Sequence, residues 1–141
     1  MILIDAQDAV VGRLAAYVAK RLIEGEKVTV INAEKAVISG NTEQITSVYY
    51  KRRGMTQKAN PEFALKWPRR PDLLMRRIIT GMLPKHSNRK MTALKSLKVH
   101  LGSPAEMQGN AIKPVKTSDK LARNFITLQV LCKNLGWEFK S

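Results

Sequence analysis

The four residues Val28-Thr29-Val30-Ile31 constrain the fold more than any other stretch of the chain. They are β-branched throughout and apolar except for Thr29, the composition of a strand buried on both faces of a parallel sheet. Parallel strands need a crossover between them, and the preceding residues supply one. Residues 2–5 read as a short apolar strand ending in Asp5. Val11, Leu14, Ala15, Val18 and Leu22 then recur at spacings of three and four, which lays one apolar stripe along a helix. Asp8 is placed to accept orphan N–H groups near the start of that helix, and Gly25 to end it. Strand, helix and strand in this order make a βαβ unit.

The pattern continues beyond it. Ala36-Val37-Ile38 adds a short extended piece, closed by Ser39-Gly40-Asn41. A second helix is expected from Thr42, with Glu43 near its positive end and Ile45, Val48 and Tyr49 on one side. A third is expected after Pro71-Asp72, with Leu73, Leu74, Ile78, Met82 and Leu83 as its buried side and Pro84 as its stop. Asn88 to Lys95 reads as a further turn or two of helix. Residues 97–101 alternate with period two, as a strand does, before a turn at Gly102-Ser103-Pro104. A last amphipathic helix is expected from about Thr117 to Leu135, carrying Leu121, Phe125, Leu128, Leu131, Cys132 and Leu135 and stopped by Gly136. Alternating strands and helices predict an α/β fold with a small, mostly parallel sheet. At 141 residues one domain is the simplest organisation.

Charge is distributed unevenly over this framework. The chain carries a formal net +14. Residues 51–100 hold 14 basic and 2 acidic side chains, a net +12, whereas residues 1–50 come to −1. A near-neutral scaffold with one cationic block points to a polyanionic partner. The block opens with KRRGMTQKANPEFALKWPRRPD, residues 51–72, in which Pro61, Pro68 and Pro71 preclude a continuous helix. It reads as an extended basic excursion that orders on its partner. Each Lys or Arg set against a phosphate releases a condensed counterion, and the Arg fork also stacks on bases. Candidate contacts are Lys51, Arg52, Arg53, Lys66, Arg69 and Arg70, then Arg76, Arg77, Lys85, Arg89 and Lys90. Gly81 joins them because, lacking a Cβ, it lets backbone approach RNA or turn tightly. Trp67, set among basic residues, could stack on an unpaired base or anchor the excursion to the sheet; both roles stay open.

Other chemistry finds little footing. His86 and His100 lack the spacing of a metal site, and no third ligand accompanies Asp5 and Asp8. The βαβ start carries no glycine-rich phosphate fingerprint. Gly12 reads as a site of close helix–sheet packing. Cys132 is the one cysteine, so no intrachain disulfide forms; its leucine neighbours make it a small buried hydrophobe, and the usage fits a reducing cytoplasm. No apolar run approaches the roughly 20 residues of a membrane helix, and residues 1–5 lack the charged region of a secretory signal.

Several stretches together resemble the universal large-subunit ribosomal protein thirteen family. They are Gly81-Met82-Leu83-Pro84-Lys85 followed by Ala93-Leu94-Lys95-Ser96-Leu97-Lys98-Val99. Asp5-Ala6 with Val11-Gly12-Arg13-Leu14-Ala15 and Ala19-Lys20 is similar to that family's opening. Val30-Ile31-Asn32-Ala33-Glu34-Lys35 with Ser39-Gly40 is similar to its second strand and following turn. Asn60-Pro61, Arg69-Arg70-Pro71-Asp72 and the chain's shortness resemble the archaeal type. The resemblance implies a three-layer α/β fold without catalytic activity or cofactor. It also implies binding to large-subunit ribosomal RNA beside neighbouring large-subunit ribosomal proteins, in the cytoplasm, with no membrane or small-molecule partner. One position departs: Thr80 stands where the family often has a basic residue, which leaves Arg76 or Arg77 to supply that charge. The alternatives are a small α/β enzyme acting on nucleotides, which needs a preformed pocket, and a DNA-packaging protein, which needs equal or better binding to duplex DNA.

Overall fold

The computed structural model describes residues 1–85, 87–104, 111–112 and 124–138. Its framework is a three-stranded parallel sheet in the order β1 (Ile2–Asp5), β2 (Val28–Ile31), β4 (Leu97–Val99). The register sets Ile2 against Val28 and Val28 in turn against Leu97, so β2 is the central strand, and all four of its residues are buried. A second pair, β3 (Val37–Ser39) and β5 (Phe125–Thr127), runs antiparallel with Ile38 opposite Ile126. With the helices that cover these strands, the arrangement is a three-layer α/β fold.

Helix α1 (Val11–Ile23) forms where the stripe lies. Val11, Leu14, Ala15, Val18, Ala19 and Leu22 are all buried. The helix packs on α3 (Pro71–Met82) and α4 (Asn88–Lys95). Gly25 ends it at φ 91°, a left-handed conformation that costs glycine little. Asp8, however, is not its cap. Val10 holds the N-cap position without a side-chain bond, and Asp8 sits at φ 57° in the turn ahead of it. The carboxylate that works at this end of the sheet is Asp5, whose Oδ1 accepts from Asn32 Nδ2 at 2.9 Å and from the Gln7 backbone at 3.0 Å. Glu34, also buried, accepts from the Gly102 backbone at 3.0 Å. Both acids knit the carboxyl ends of strands together.

Five other expectations need revision. The basic stretch does not begin as a loop: α2 (Thr42–Gly54) continues through Lys51, Arg52 and Arg53, whose charges lie at its favourable negative end. Only residues beyond it are extended, with one short 3-10 turn at Pro61–Phe63. On α3 the core takes Leu74, Met75 and Ile79, with Leu83 just beyond, while Leu73 and Met82 are exposed. On α2, Val48 is exposed and no residue is fully buried. The last helix, α5 (Leu128–Asn134), starts later than expected because Phe125 belongs to β5; Leu121 lies outside the described residues. Strand β4 likewise stops at Val99.

Cys132 is the buried hydrophobe its neighbours suggest, packed with Leu128, Leu131 and Leu135. Burial pushes its thiol up to about 12, which leaves almost no thiolate at neutral pH. Among the described residues no helix is long and apolar enough to cross a membrane.

Candidate nucleic-acid interface

Helix α2 sets the geometry of the cationic face. Its start is fixed by Asn41, whose side chain accepts from the Glu43 backbone N–H at 3.1 Å. Within it, Tyr49 and Arg52 stand three residues apart and therefore on one side. Arg52 lies over the Tyr49 ring at 5.3 Å and over the Trp67 ring at 5.1 Å. Tyr49 meets Trp67 edge to face at 5.8 Å. Arg77, from α3, reaches the same indole at 5.3 Å. Half-buried Trp67 thus joins α2, α3 and the chain between them, with a guanidinium on each of two approaches. Burial raises the Tyr49 phenol's pKa, with Arg52 pulling the other way, so it stays protonated and neutral near pH 7.

Around this cluster opens a cleft of about 670 Å³. Its cations come from four segments: Arg52 on α2, Arg77 on α3, Lys85 just after α3 and Lys90 on α4. Its walls are largely apolar, with Val10 and Val11 at the start of α1, Ile38 on β3 and Ile78 on α3. Ser39, Thr80, Gly12 and Gly81 complete the described lining, and an added Cβ would meet nothing within 4 Å at either glycine. Gly12 is exposed, so it does not serve close helix–sheet packing, and Gly81 lies within α3 rather than at a turn. No carboxylate, imidazole or thiol is among the described residues that line the cleft. The described lining therefore offers an anion both charge and apolar surface.

On the far side of Trp67 and Arg77 lies a shallower groove of about 390 Å³, which takes in Lys66 and Arg76. Arg76 also donates to the Leu94 carbonyl at 3.2 Å, bracing α3 against the end of α4. Thr80 lines both hollows, beside Arg77 in each and Arg76 in the second, and donates to the Arg76 carbonyl at 2.7 Å.

The remaining basic candidates are spread outside the two hollows. Arg53 donates to the Leu135 carbonyl at 2.8 Å and ties α2 to the end of α5. Arg69 lies beside Gly136. Arg70 is bidentate on Asp72, at 2.8 and 3.2 Å. Lys51 and Arg89 are exposed, the latter in the first turn of α4 behind the Ser87 cap. Sequence reasoning missed Tyr49, Gly12, Ile38 and Ile78 as cleft residues. Only Tyr49 carried a signal, its helical spacing from Arg52.

Among the described residues, just one basic side chain between 51 and 98 has a carboxylate partner, Arg70; the other ion pairs belong to Arg21 on α1. Among those residues no group of acids, histidines and cysteines could hold a metal ion.

Comparison with known proteins agrees with this architecture. The family profile described as ribosomal protein L13 matches residues 1–106. The chain is 43% identical to the large ribosomal subunit protein uL13 of Methanocaldococcus jannaschii over 141 residues, covering 99% of this chain and all of the relative. It is 41% identical to uL13 of Methanococcus maripaludis over 140 residues, with 99% and 100% covered. It is 38% identical to uL13 of Haloarcula marismortui over 136 residues, with 96% and 90% covered. A βαβ-led parallel sheet, its cationic face and full-length identity of this order converge on one conclusion: the chain belongs to the ribosomal protein L13 family.

Proposed function

We propose that this protein is a structural constituent of the large ribosomal subunit, not an enzyme, and that it binds and stabilises folded large-subunit ribosomal RNA during assembly and in translation. Its relatives are named as large-subunit proteins, and the cytoplasmic subunit is the place this assigns to it. The observation that carries the RNA part is electrostatic. A block of net +12 folds with, among the described residues, a single internal ion pair, at Arg70. Unneutralised like charges repel and cost stability, so their retention fits a polyanion that neutralises them from outside. The framework holds these cations at fixed separations, which suits places where RNA helices come close together. Exposed Met55, Phe63 and Leu65, on the chain between α2 and α3, are the side chains we assign to neighbouring large-subunit proteins.

Sedimentation of the native protein from a lysate, followed by a high-salt wash, tests the reading. Co-migration with the large subunit that survives the wash is expected; migration as free protein, or dissociation at modest salt, overturns it. Replacing Arg69 and Arg70 together by Gln lowers the salt slope of RNA binding by about 0.7–0.9 for each phosphate that is no longer neutralised. Arg69 should contribute the larger share, since Asp72 already engages Arg70. An unchanged slope removes both from the set of phosphate-binding residues.

A further inference from the structure

Resting on that RNA-binding reading, we infer that the cleft between α1, α2 and α3 receives one unstacked nucleotide of a single-stranded RNA segment. Its base would lie on the apolar wall, and its phosphates would be held by Arg52, Arg77, Lys85 and Lys90.

The size is right for such an occupant. Small-ligand sites run from about 300 to 1,000 Å³, and this cleft is about 670 Å³. The chemistry is two-sided in the way a nucleotide is. Four cations converge from four segments, and no acid stands among the described lining residues to satisfy them. The wall they surround is built from Val10, Ile38 and Ile78, which suits the face of a base and not a second phosphate. A phosphate backbone lying flat on the surface would use the cations and leave that wall wet.

Two of the cations are already ordered. Arg52 and Arg77 sit over the Trp67 ring at 5.1 and 5.3 Å. Guanidinium planes held in place lose less rotamer freedom when a base or phosphate meets them. Duplex RNA keeps its bases stacked and its deep groove closed to side chains, so loops and bulges are where a base is free to enter. Gly12 and Gly81 keep the mouth open, since neither position has a neighbour within 4 Å of where a Cβ would stand.

That last fact supplies a test that leaves every charge in place. G12L and G81L fill the cleft from two helices, and both replace glycine by a better helix former, so the fold is retained. Binding of the full-length chain to labelled decauridylate and to a short A-form RNA duplex is measured by fluorescence anisotropy. Each variant is expected to weaken binding of the single strand by about tenfold, the scale of removing one base from an aromatic or apolar platform. The duplex should stay within about twofold.

Strand and duplex affinities that both stay at the wild-type value would overturn the cleft assignment and leave RNA binding standing. Affinities that fall together would overturn it too, because the cleft would then not tell a free base from a stacked one. Wild-type protein that binds neither RNA would sink the RNA reading itself. Uridine 5′-monophosphate that displaces decauridylate at equal concentration would make the occupant a free nucleotide. A decaglutamate peptide whose binding is abolished in G12L, while RNA binding is not, would make it an acidic protein segment. Either of those two results overturns the proposal.

Discussion

Helices α1 and α2 are each 13 residues long and lie on opposite sides of the division of labour in this molecule. α1 buries six of its side chains, and α2 buries none. α1 therefore draws its stability from the core. α2 draws its own from the half-buried Ile45 and Tyr49 packed against the edge of the core, from its ends and from a few lateral interactions: the Asn41 cap, the cations at its negative end, the edge-to-face meeting of Tyr49 with Trp67 and the Arg53 bond to Leu135. The difference shows how one small fold holds a rigid sheet and a dense cationic face together. Each helix carries three cations, but α1 sets Arg13, Lys20 and Arg21 on the side away from its buried stripe, whereas α2 gathers Lys51, Arg52 and Arg53 in its last turn, away from the core.

Substitutions can break this comparison or sharpen it. The largest effect is expected on α1, where Leu14→Ala empties a fully buried site and should cost about 2–5 kcal/mol in urea unfolding. Next is Asn41→Ala, which strips the cap from α2 and should cost about 1 kcal/mol, with the helix signal falling before the core unfolds. Smallest is Val48→Ala, on the exposed side of α2, which should fall within about 0.5 kcal/mol of wild type. A Val48 cost that matches the Leu14 cost would make α2 a core helix and end the distinction. An Asn41 variant that unfolds in one step with the core would show the two helices to be one cooperative unit.

The framework was legible because its signals are unambiguous. α1 has one apolar stripe, so its period names its buried face. β2 is apolar where a central strand must be. α3 is different: Leu73, Leu74, Met75, Ile78, Ile79, Met82 and Leu83 form two overlapping stripes, and only the position of the sheet decides between them. The core took Met75 and Ile79 and left Leu73 and Met82 outside. The helical start of the basic stretch was hidden by the prolines that follow it, although Lys and Arg suit a helix end well. Strand β5 exists through its pairing with β3, a meeting of distant parts of the chain that no local pattern reports. The cleft is assembled from α1, β3, α2, α3, α4 and the chain at Trp67 and Lys85, so composition could name its cations but not bring them together.

The pairing of β3 with β5 also sets an order of events in time. The strands of the parallel sheet are all present once the chain has been made as far as Val99. Ile38 must wait for Ile126, the Gly40 amide for the Asn124 carbonyl, and Arg53 for Leu135. Pairings so distant along the chain form late, because the loop between them must close first. A growing polypeptide can therefore settle its neutral scaffold before its cationic arm is locked, and the arm acquires its final shape only once the chain has been made as far as Leu135.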